Sequence, residues 1–396
     1  MLLVLAAVLL GAVAVSGAAT PFVVRNVDVF DGESLVRGQD VLVEQGVIAE
    51  IGSDLDVSKD TPVVDGSGRT LLPGLIDAHV HVLKAEDLRT ALAYGVTTEL
   101  DMFMLATLAA AIKTEQAAGG GLDQADLRSA GTLVTAPGGH GTEYGVPIPT
   151  LASAEEAQAF VDARIAEGSD YIKVVVDDGS AFGFSRPTLD RSTLCAVIDA
   201  AHVREKLAVV HIATQSDFRE AVECGADGIE HVPAGDVEPE VARLAAARGI
   251  SVTPTLGVIS AHERAPGEAG RGVRSLMSAG VTILSGTDAP NPPCEHGASL
   301  HQELELLVEA GLTPVQALAA ATAAPARVFG LTDRGRVVVG LRADLVLVVG
   351  DPTTDIRATR HLVAVWKRGV RLESPACGEA PSPIGGRTSP VPVASP

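Results

Sequence analysis

His79-Val80-His81 sets two imidazoles two residues apart. On a β-strand that spacing turns both side chains to one face, so the pair can reach a single divalent ion where the strand ends. In a chain with ten histidines an H-x-H says little by itself, and it gains weight from the other polar residues that share its setting. Lys173 sits in the apolar run Tyr171-Ile172-Lys173-Val174-Val175-Val176, where a charged ammonium costs several kcal/mol unless it is paired or neutralised. His211, His231 and Asp288 each follow a short β-rich run, and His140 lies in Pro137-Gly138-Gly139-His140-Gly141. An ammonium cannot ligate a metal. A lysine amine that loses its proton and adds CO2 becomes a carbamate, whose two oxygens can bridge two cations. Paired instead with a carboxylate such as Asp101 or Asp177, the same lysine would be structural. Two divalent ions about 3.5–4 Å apart can share a water and bring its pKa toward neutrality, while one of them polarises a scissile carbonyl.

Such residues need a scaffold that returns them to one place. Between Thr70 and Gly330, short β-rich runs alternate with alanine-rich helical stretches. The strand candidates are 71–76, 96–100, 132–135, 171–176, 207–210, 228–230, 250–253 and 282–284. Helices are expected at about 85–94, 189–206, 217–223, 239–247, 270–279 and 300–310, and a further one opens at Ser153 with Glu156 as a capping box. Eight strands separated by helices over 261 residues match an α/β fold of the (β/α)8 TIM-barrel type, which typically takes about 250. Lys173 follows His81 by 92 residues, three βα units of about 31. His211 comes 38 residues later, His231 another 20, and Asp288 another 57. Each therefore falls where a barrel strand meets its C-terminal loop, the face on which barrel enzymes build their sites. An open doubly wound sheet is the alternative, but no G-x-G-x-x-G follows the first strand and no G-x-x-x-x-G-K-[ST] occurs. Valine-rich flanks, punctuated by turns such as Asp31-Gly32 and Gln45-Gly46, predict one small β-sandwich built from both chain ends. The expected organisation is a sandwich at 20–70 and 331–373 around a barrel at 71–330.

Residues 1–15 are apolar or glycine, and Ser16-Gly17-Ala18-Ala19 resembles a signal-peptidase site. A signal peptide at 1–19 is the expectation, although no Lys or Arg precedes Arg25. The run is shorter than the roughly 20 residues of a membrane span. The expected location is secreted or cell-envelope, or cytoplasmic if that segment is not a working signal. Residues 374–396 hold six of the 23 prolines and read as a disordered tail. A net charge of −20 and 3% aromatic residues argue against nucleic-acid binding, which needs cations and stacking faces. Cys195 and Cys224 sit on expected helices and read as buried thiols, and a pairing of Cys294 with Cys377 stays open. Oligomeric state has no readable signal.

The motifs PGLIDAHVH, GVTTELD, GGHG, DYIKVVVDD, VVHIAT, GADGIEHV, LSGTDAP and GRVVVGLRADLVLV resemble the amidohydrolase superfamily. Within it, the chain is most similar to the group of imidazolonepropionase-like proteins and binuclear Xaa-Pro dipeptidases (prolidases), over about residues 22–373. Position by position, the resemblance implies that His79, His81 and Asp288 hold the more buried metal. It implies that His211 and His231 hold a second, that carboxylated Lys173 bridges both, and that His140 faces the substrate. The implied cofactors are two divalent ions and CO2 for Lys173; these ligands suit zinc, with manganese, iron and cobalt compatible. The implied reaction is hydrolysis of an amide or peptide-like C–N bond in a small molecule by a metal-bridged hydroxide. Asp288 would pass the proton to the leaving amine, and His140 would hydrogen-bond the oxyanion.

The chain departs from the prolidase pattern in three places. Asp177-Asp178-Gly179 stands where those enzymes have a Gly-rich stretch, Val232–Asp236 lacks a tyrosine they use, and the loop over Leu256–Gly272 is short. The metal set is thus better specified than a dipeptide substrate. The alternative is a mononuclear deaminase or cyclic-amide hydrolase of the imidazolonepropionase type, with one metal and an uncarboxylated Lys173. Against it, His211-Ile212-Ala213-Thr214 lacks the acidic residue such deaminases carry one turn on. Phosphotriester or lactone hydrolysis, and a barrel that only binds a small molecule, are the remaining readings. His202 is expected on the barrel exterior, and His262 and His361 in solvent. Arg186 is expected at the surface unless it meets a substrate carboxylate. His296 and His301 follow the eighth strand closely enough to line the mouth.

Overall fold

The computed structural model describes residues 20–262 and 267–372; the apolar N-terminal run, the proline-rich tail and Cys377 lie outside them. The chain opens with β1 (Phe22–Phe30), β2 (Leu35–Glu44), β3 (Val47–Gly52), β4 (Val63–Asp65) and β5 (Arg69–Pro73). The barrel follows as β6 (Leu75–Val80), α1 (Ala85–Ala93), β7 (Val96–Asp101), α2 (Ala106–Ala117), β8 (Asp126–Ser129), α3 (Ala157–Ala166), β9 (Ile172–Val176) and α4 (Arg191–Val203). It continues as β10 (Ala208–Ile212), α5 (Gln215–Cys224), β11 (Gly228–Glu230), α6 (Pro239–Ala247), β12 (Ser251–Thr253), α7 (Leu256–His262), α8 (Glu268–Ser278) and β13 (Thr282–Ile283). Helices α9 (Ala298–Glu309), α10 (Pro314–Ala320) and α11 (Ala323–Val328) lead to β14 (Leu345–Val349), β15 (Leu362–Lys367) and β16 (Val370–Arg371).

Parallel ladders join β6-β7-β8 in one arc and β9 through β13 in another. The arcs meet through isolated parallel bridges, Val134 with Val174 and Val80 with Ala289, so eight strands close into a (β/α)8 barrel. The third strand is displaced from its expected place. It runs over the more polar Asp126–Ser129, and the expected 132–135 contributes only the bridge at Val134. The expected capping box at Ser153 does not form either, and a one-turn 3-10 segment leads into α3 instead. At Thr214, by contrast, the box is complete: the hydroxyl accepts from the Asp217 amide and the Asp217 carboxylate takes the Thr214 amide.

The two chain ends meet in one mixed eight-stranded sheet, ordered β16-β15-β14-β5-β1-β2-β3 with β4 beside β1. β14 shows why its sequence is an unbroken apolar run. Leu345 and Leu347 enter the sheet's own core with Phe22, Val24 and Trp366, while Val346 and Val348 join the shell between barrel strands and helices. Both faces of the strand are buried, so the usual alternation with polar residues is lost.

A buried charge cluster ties this sheet to the barrel. The Asp126 carboxylate meets Arg334 at 2.5 Å, Arg342 at 2.7 Å, Lys367 at 3.0 Å and Arg368 at 3.3 Å. Lys367 Nζ also donates to the Thr97 carbonyl at the start of β7, at 2.7 Å. Burial alone would raise the Asp126 carboxyl, but the cations, Lys367 foremost, hold it well below the usual range. Asp126→Asn would leave buried cations short of a counter-charge and is expected to cost about 3–5 kcal/mol at neutral pH. Because the carboxyl is depressed in the folded state, its contribution is present above the unfolded value and fades as pH falls through the folded one. The gap between denaturant melts of the two proteins should therefore start to narrow only below about pH 4 and go on narrowing as pH falls toward the folded value.

Cys195 on α4 and Cys224 at the end of α5 form a disulfide with Cα atoms 4.8 Å apart, which corrects their reading as thiols. Consecutive outer helices are neighbours in a barrel, so residues 29 apart in sequence can meet. Cys294 is a buried free thiol. Non-reducing peptide mapping should recover the Cys195 and Cys224 peptides cross-linked, and Cys195→Ala should lower stability by about 2–4 kcal/mol.

Candidate metal centre

The register of β6 against β7 shifts between Leu75 and Ile76 and again between Asp77 and Val80, across His79, a device that re-aims side chains near sites. His79 Nε2 lies 3.4 Å and His81 Nε2 3.1 Å from the same Asp288 oxygen, Oδ1. The outer nitrogens are engaged behind them: His79 Nδ1 with Glu230 Oε2 at 2.5 Å, and His81 Nδ1 with the Phe103 carbonyl at 3.2 Å. Donation from Nδ1 would free the Nε2 lone pair for an inward metal, the tautomer that ligation needs. Burial alone would raise the Asp288 carboxyl, but the charges and hydrogen bonds of His79 and His81 hold it well below the carboxylate range.

The backbone is shaped for this approach. Asp288 adopts φ +61° and its amide donates to the His79 carbonyl at 2.8 Å. A Cβ on Gly286 would sit 2.7 Å from the His79 nitrogen and 2.8 Å from its Cβ, so only glycine lets the two segments lie this close. Asp77 fastens them together, its carboxylate accepting from the Thr287 hydroxyl at 2.7 Å, the Thr287 amide and the His79 amide. Burial pushes that carboxyl up to about 7.

On the adjoining strands, His231 Nε2 lies 2.9 Å from His211 Nδ1, and His231 Nδ1 meets the Thr255 hydroxyl at 2.7 Å. His231 and Thr255 also take positive φ, +70° and +49°, uncommon for residues other than glycine and the kind of local strain found at functional sites. Burial, reinforced by neighbouring cationic groups, drives the pKa of both histidines well below the usual imidazole value, keeping them neutral and able to ligate. The His79 and His231 rings are 5.0 Å apart, so the two groups form one continuous site.

Lys173 stands inside it, 3% exposed. Its Nζ has no hydrogen-bond partner among the described residues, and burial brings the amine down to about 8 against the pull of Glu230, Asp288 and Asp101. Neither carboxylate that could make it a structural lysine is engaged with it. Asp101 binds the Val82 amide and the Ser129 hydroxyl, and Asp177 takes the Gly179 amide.

The site's outer rim gathers His140, Glu143, Asp177 and Arg186. The His140 and His211 rings are 5.0 Å apart, and His140, Asp177 and His211 present ligand atoms within 4.8 Å of one another, as do His79, His81 and Asp288. Arg186 is not a free surface residue: its NH1 lies 2.6 Å from His140 Nδ1 and 2.8 Å from Glu143 Oε1. His296 and His301 do not line the mouth. His296 is buried between Glu99 and Asp87; burial would lower its imidazole, but these carboxylates outweigh it and push it up to about 9. His301 is buried against the Tyr94 carbonyl, and burial brings it down to about 4. His202 pairs with Asp227 on the exterior at 2.8 Å, and His361 is exposed. His262 ends α7. Sequence reasoning missed Glu230 and Glu143. Glu230 had a signal, as the acid next to His231 in a buried strand, whereas Glu143 is placed only by loop geometry.

Comparison with known proteins agrees with this architecture. An imidazolonepropionase from Deinococcus radiodurans is 27% identical over 378 residues, covering 85% of this chain and 93% of that protein. The crystal structure of a putative prolidase from Bifidobacterium longum superposes with a TM-score of 0.80 at 25% identity, covering 92% of this chain and 97% of that one. A Xaa-Pro dipeptidase with bound methionine in its active site shares the fold at TM-score 0.79 and 24% identity, over 89% of this chain and all of that one. The sequence pattern of the Amidohydrolase family matches residues 70–372, and with most of the chain so covered, this protein belongs to the amidohydrolase family.

Proposed function

We propose that the chain is a metal-dependent hydrolase that cleaves an amide-type C–N bond of a small molecule. The observation that carries this reading is Lys173: a buried amine of reduced basicity, without a hydrogen-bond partner among the described residues, set between His79, His81 and Asp288 on one side and the neutral pair His211 and His231 on the other. A structural lysine would be paired; one that carries a carbamate needs this access to its neutral form and this space. His79, His81 and Asp288 would hold one divalent ion and His211 and His231 a second, with a carboxylated Lys173 between the two groups. Bound there, zinc or a similar divalent ion would supply Lewis acidity toward the scissile carbonyl and lower the pKa of a water.

The chain's own groups account for the rest. Asp288 Oδ1 gathers His79, His81 and the Asn291 amide, which leaves Oδ2 to accept the proton of the attacking water. As the C–N bond breaks, Asp288 returns that proton to the departing nitrogen. His140 turns its Nδ1 to Glu143 and Arg186, which leaves Nε2 as the nitrogen available to the developing oxyanion. Glu230, the Phe103 carbonyl and Thr255 fix the ring orientations from behind.

The likeness to imidazolonepropionase supports a second reading, a mononuclear cyclic-amide hydrolase in which Lys173 stays an amine. The Cys195–Cys224 disulfide supports an exported enzyme, since such bonds persist chiefly in oxidising compartments. Among the described residues no helix is long and apolar enough to cross a membrane.

Elemental analysis of protein purified with bicarbonate should find about two metal equivalents per chain, falling to one or fewer in Lys173→Ala. One equivalent in both proteins would favour the mononuclear reading, and no turnover across a panel of amides, lactams and dipeptides by the loaded protein would count against the hydrolase itself. Glu230→Gln should weaken metal affinity about 10–100-fold in chelator competition.

A further inference from the structure

We infer that Arg186 and His140 form a carboxylate-binding subsite at the mouth, and that Glu143 occupies it when no ligand is bound. The subsite rests on the hydrolase reading for its place beside the reacting bond, and it names the substrate class: amides that carry a carboxylate next to an apolar or aromatic arm.

Three donors converge on the Glu143 carboxylate: Arg186 NH1 at 2.8 Å, His140 Nδ1 at 2.6 Å and the Gly141 amide at 2.6 Å. Convergent donors of this kind are how proteins grip a carboxylate, and a guanidinium is the residue type best shaped for it. The carboxylate they hold is replaceable. Glu143 is 46% exposed and lies in a loop whose Gly138, Gly141 and Gly145 all take positive φ. The guanidinium is fixed by comparison, at 16% exposure, and it has donors to spare. Its Nε is buried without a hydrogen-bond partner among the described residues, and its NH2 comes no nearer to Asp177 than 3.6 Å.

Charge points the same way. Asp177 is 1% exposed and bonded to the Gly179 amide, so it stays and balances one unit of positive charge. Exchanging Glu143 for a ligand's carboxylate then leaves the net charge of the mouth unchanged. On a chain of net charge −20, long-range steering repels anions, so an anionic ligand needs a local cation of this kind. The apolar arm is placed by Phe184, whose ring lies under the guanidinium at 4.5 Å, and by Phe182 stacked on it at 6.2 Å. Both rings are about half exposed, unusual in a chain with so few aromatics.

The test is calorimetric titration of the full-length, metal-loaded protein with 3-phenylpropionate and 3-phenylpropanol, a matched pair without a C–N bond. The acid should bind at least about tenfold more tightly than the alcohol. Arg186→Met should erase that difference, Arg186→Lys should keep part of it, and Glu143→Gln should tighten the acid a few-fold while leaving the alcohol unchanged. Equal binding of acid and alcohol to the wild type would overturn the inference. So would an acid preference that survives in Arg186→Met, or weaker acid binding in Glu143→Gln. Arg186-dependent acid binding in a protein that cleaves no amide would sink the hydrolase reading and keep the subsite. Turnover of acidic and neutral amides alike, indifferent to Arg186, would do the reverse.

Discussion

A primary amine buried without a hydrogen-bond partner is costly in any protein interior, and Lys173 has none among the described residues. It carries that cost inside the barrel, near the start of β9 and two residues below the level of His211, rather than at the strand's C-terminal end as its spacing suggested. The surrounding structure is arranged around it rather than relieving it. The nearest carboxylates are spoken for: Asp101 by Ser129 and a backbone amide, Glu230 by His79, Asp288 by His79 and His81. The neighbouring histidines are held neutral by burial. An amine in such a place is either an unrelieved fault or a group awaiting a partner, and the convergent ligand atoms around it argue for the second.

Holding those ligands in register requires backbone that an ordinary barrel strand does not provide. His231, Thr255 and Asp288 all take left-handed conformations at strand ends, and Gly286 admits a contact with His79 that a methyl group would block. Such strain persists only when packing over-determines it. The Asp77–Thr287 bonds supply that locally, and the Asp126 charge cluster anchors the opposite end of the barrel to the eight-stranded sheet. The fold thus places its strained, closely bonded backbone behind the candidate metal ligands, while Glu143 and Arg186 meet between loops at the rim.

Much of this is legible in the sequence because it obeys short periods. H-x-H follows from the two-residue repeat of a strand, and the intervals from His81 to Asp288 follow from the βα repeat. The six candidate ligands that the structure gathers at one site are therefore readable from residue type and spacing together with the family motifs. What escapes such reading depends on contacts with no period. Glu230 reaches His79 across the barrel, Glu143 meets Arg186 between two loops, and Cys195 meets Cys224 between two helices. The third strand departs from its expected position because Thr132–Thr135 is the more β-like run, while Asp126 owes its polar character to the charge cluster beneath the barrel. His296 and His301 are close in sequence to the eighth strand, yet the chain carries them behind the site, His301 on α9 and His296 just ahead of it, into pockets that give each imidazole a partner.

The most direct test of the binuclear account is anomalous diffraction from crystals grown with zinc and bicarbonate. The account predicts two metal peaks bridged by extra density on Lys173 Nζ, one against His79, His81 and Asp288 and the other against His211 and His231. A single peak beside an unmodified Lys173 would contradict it.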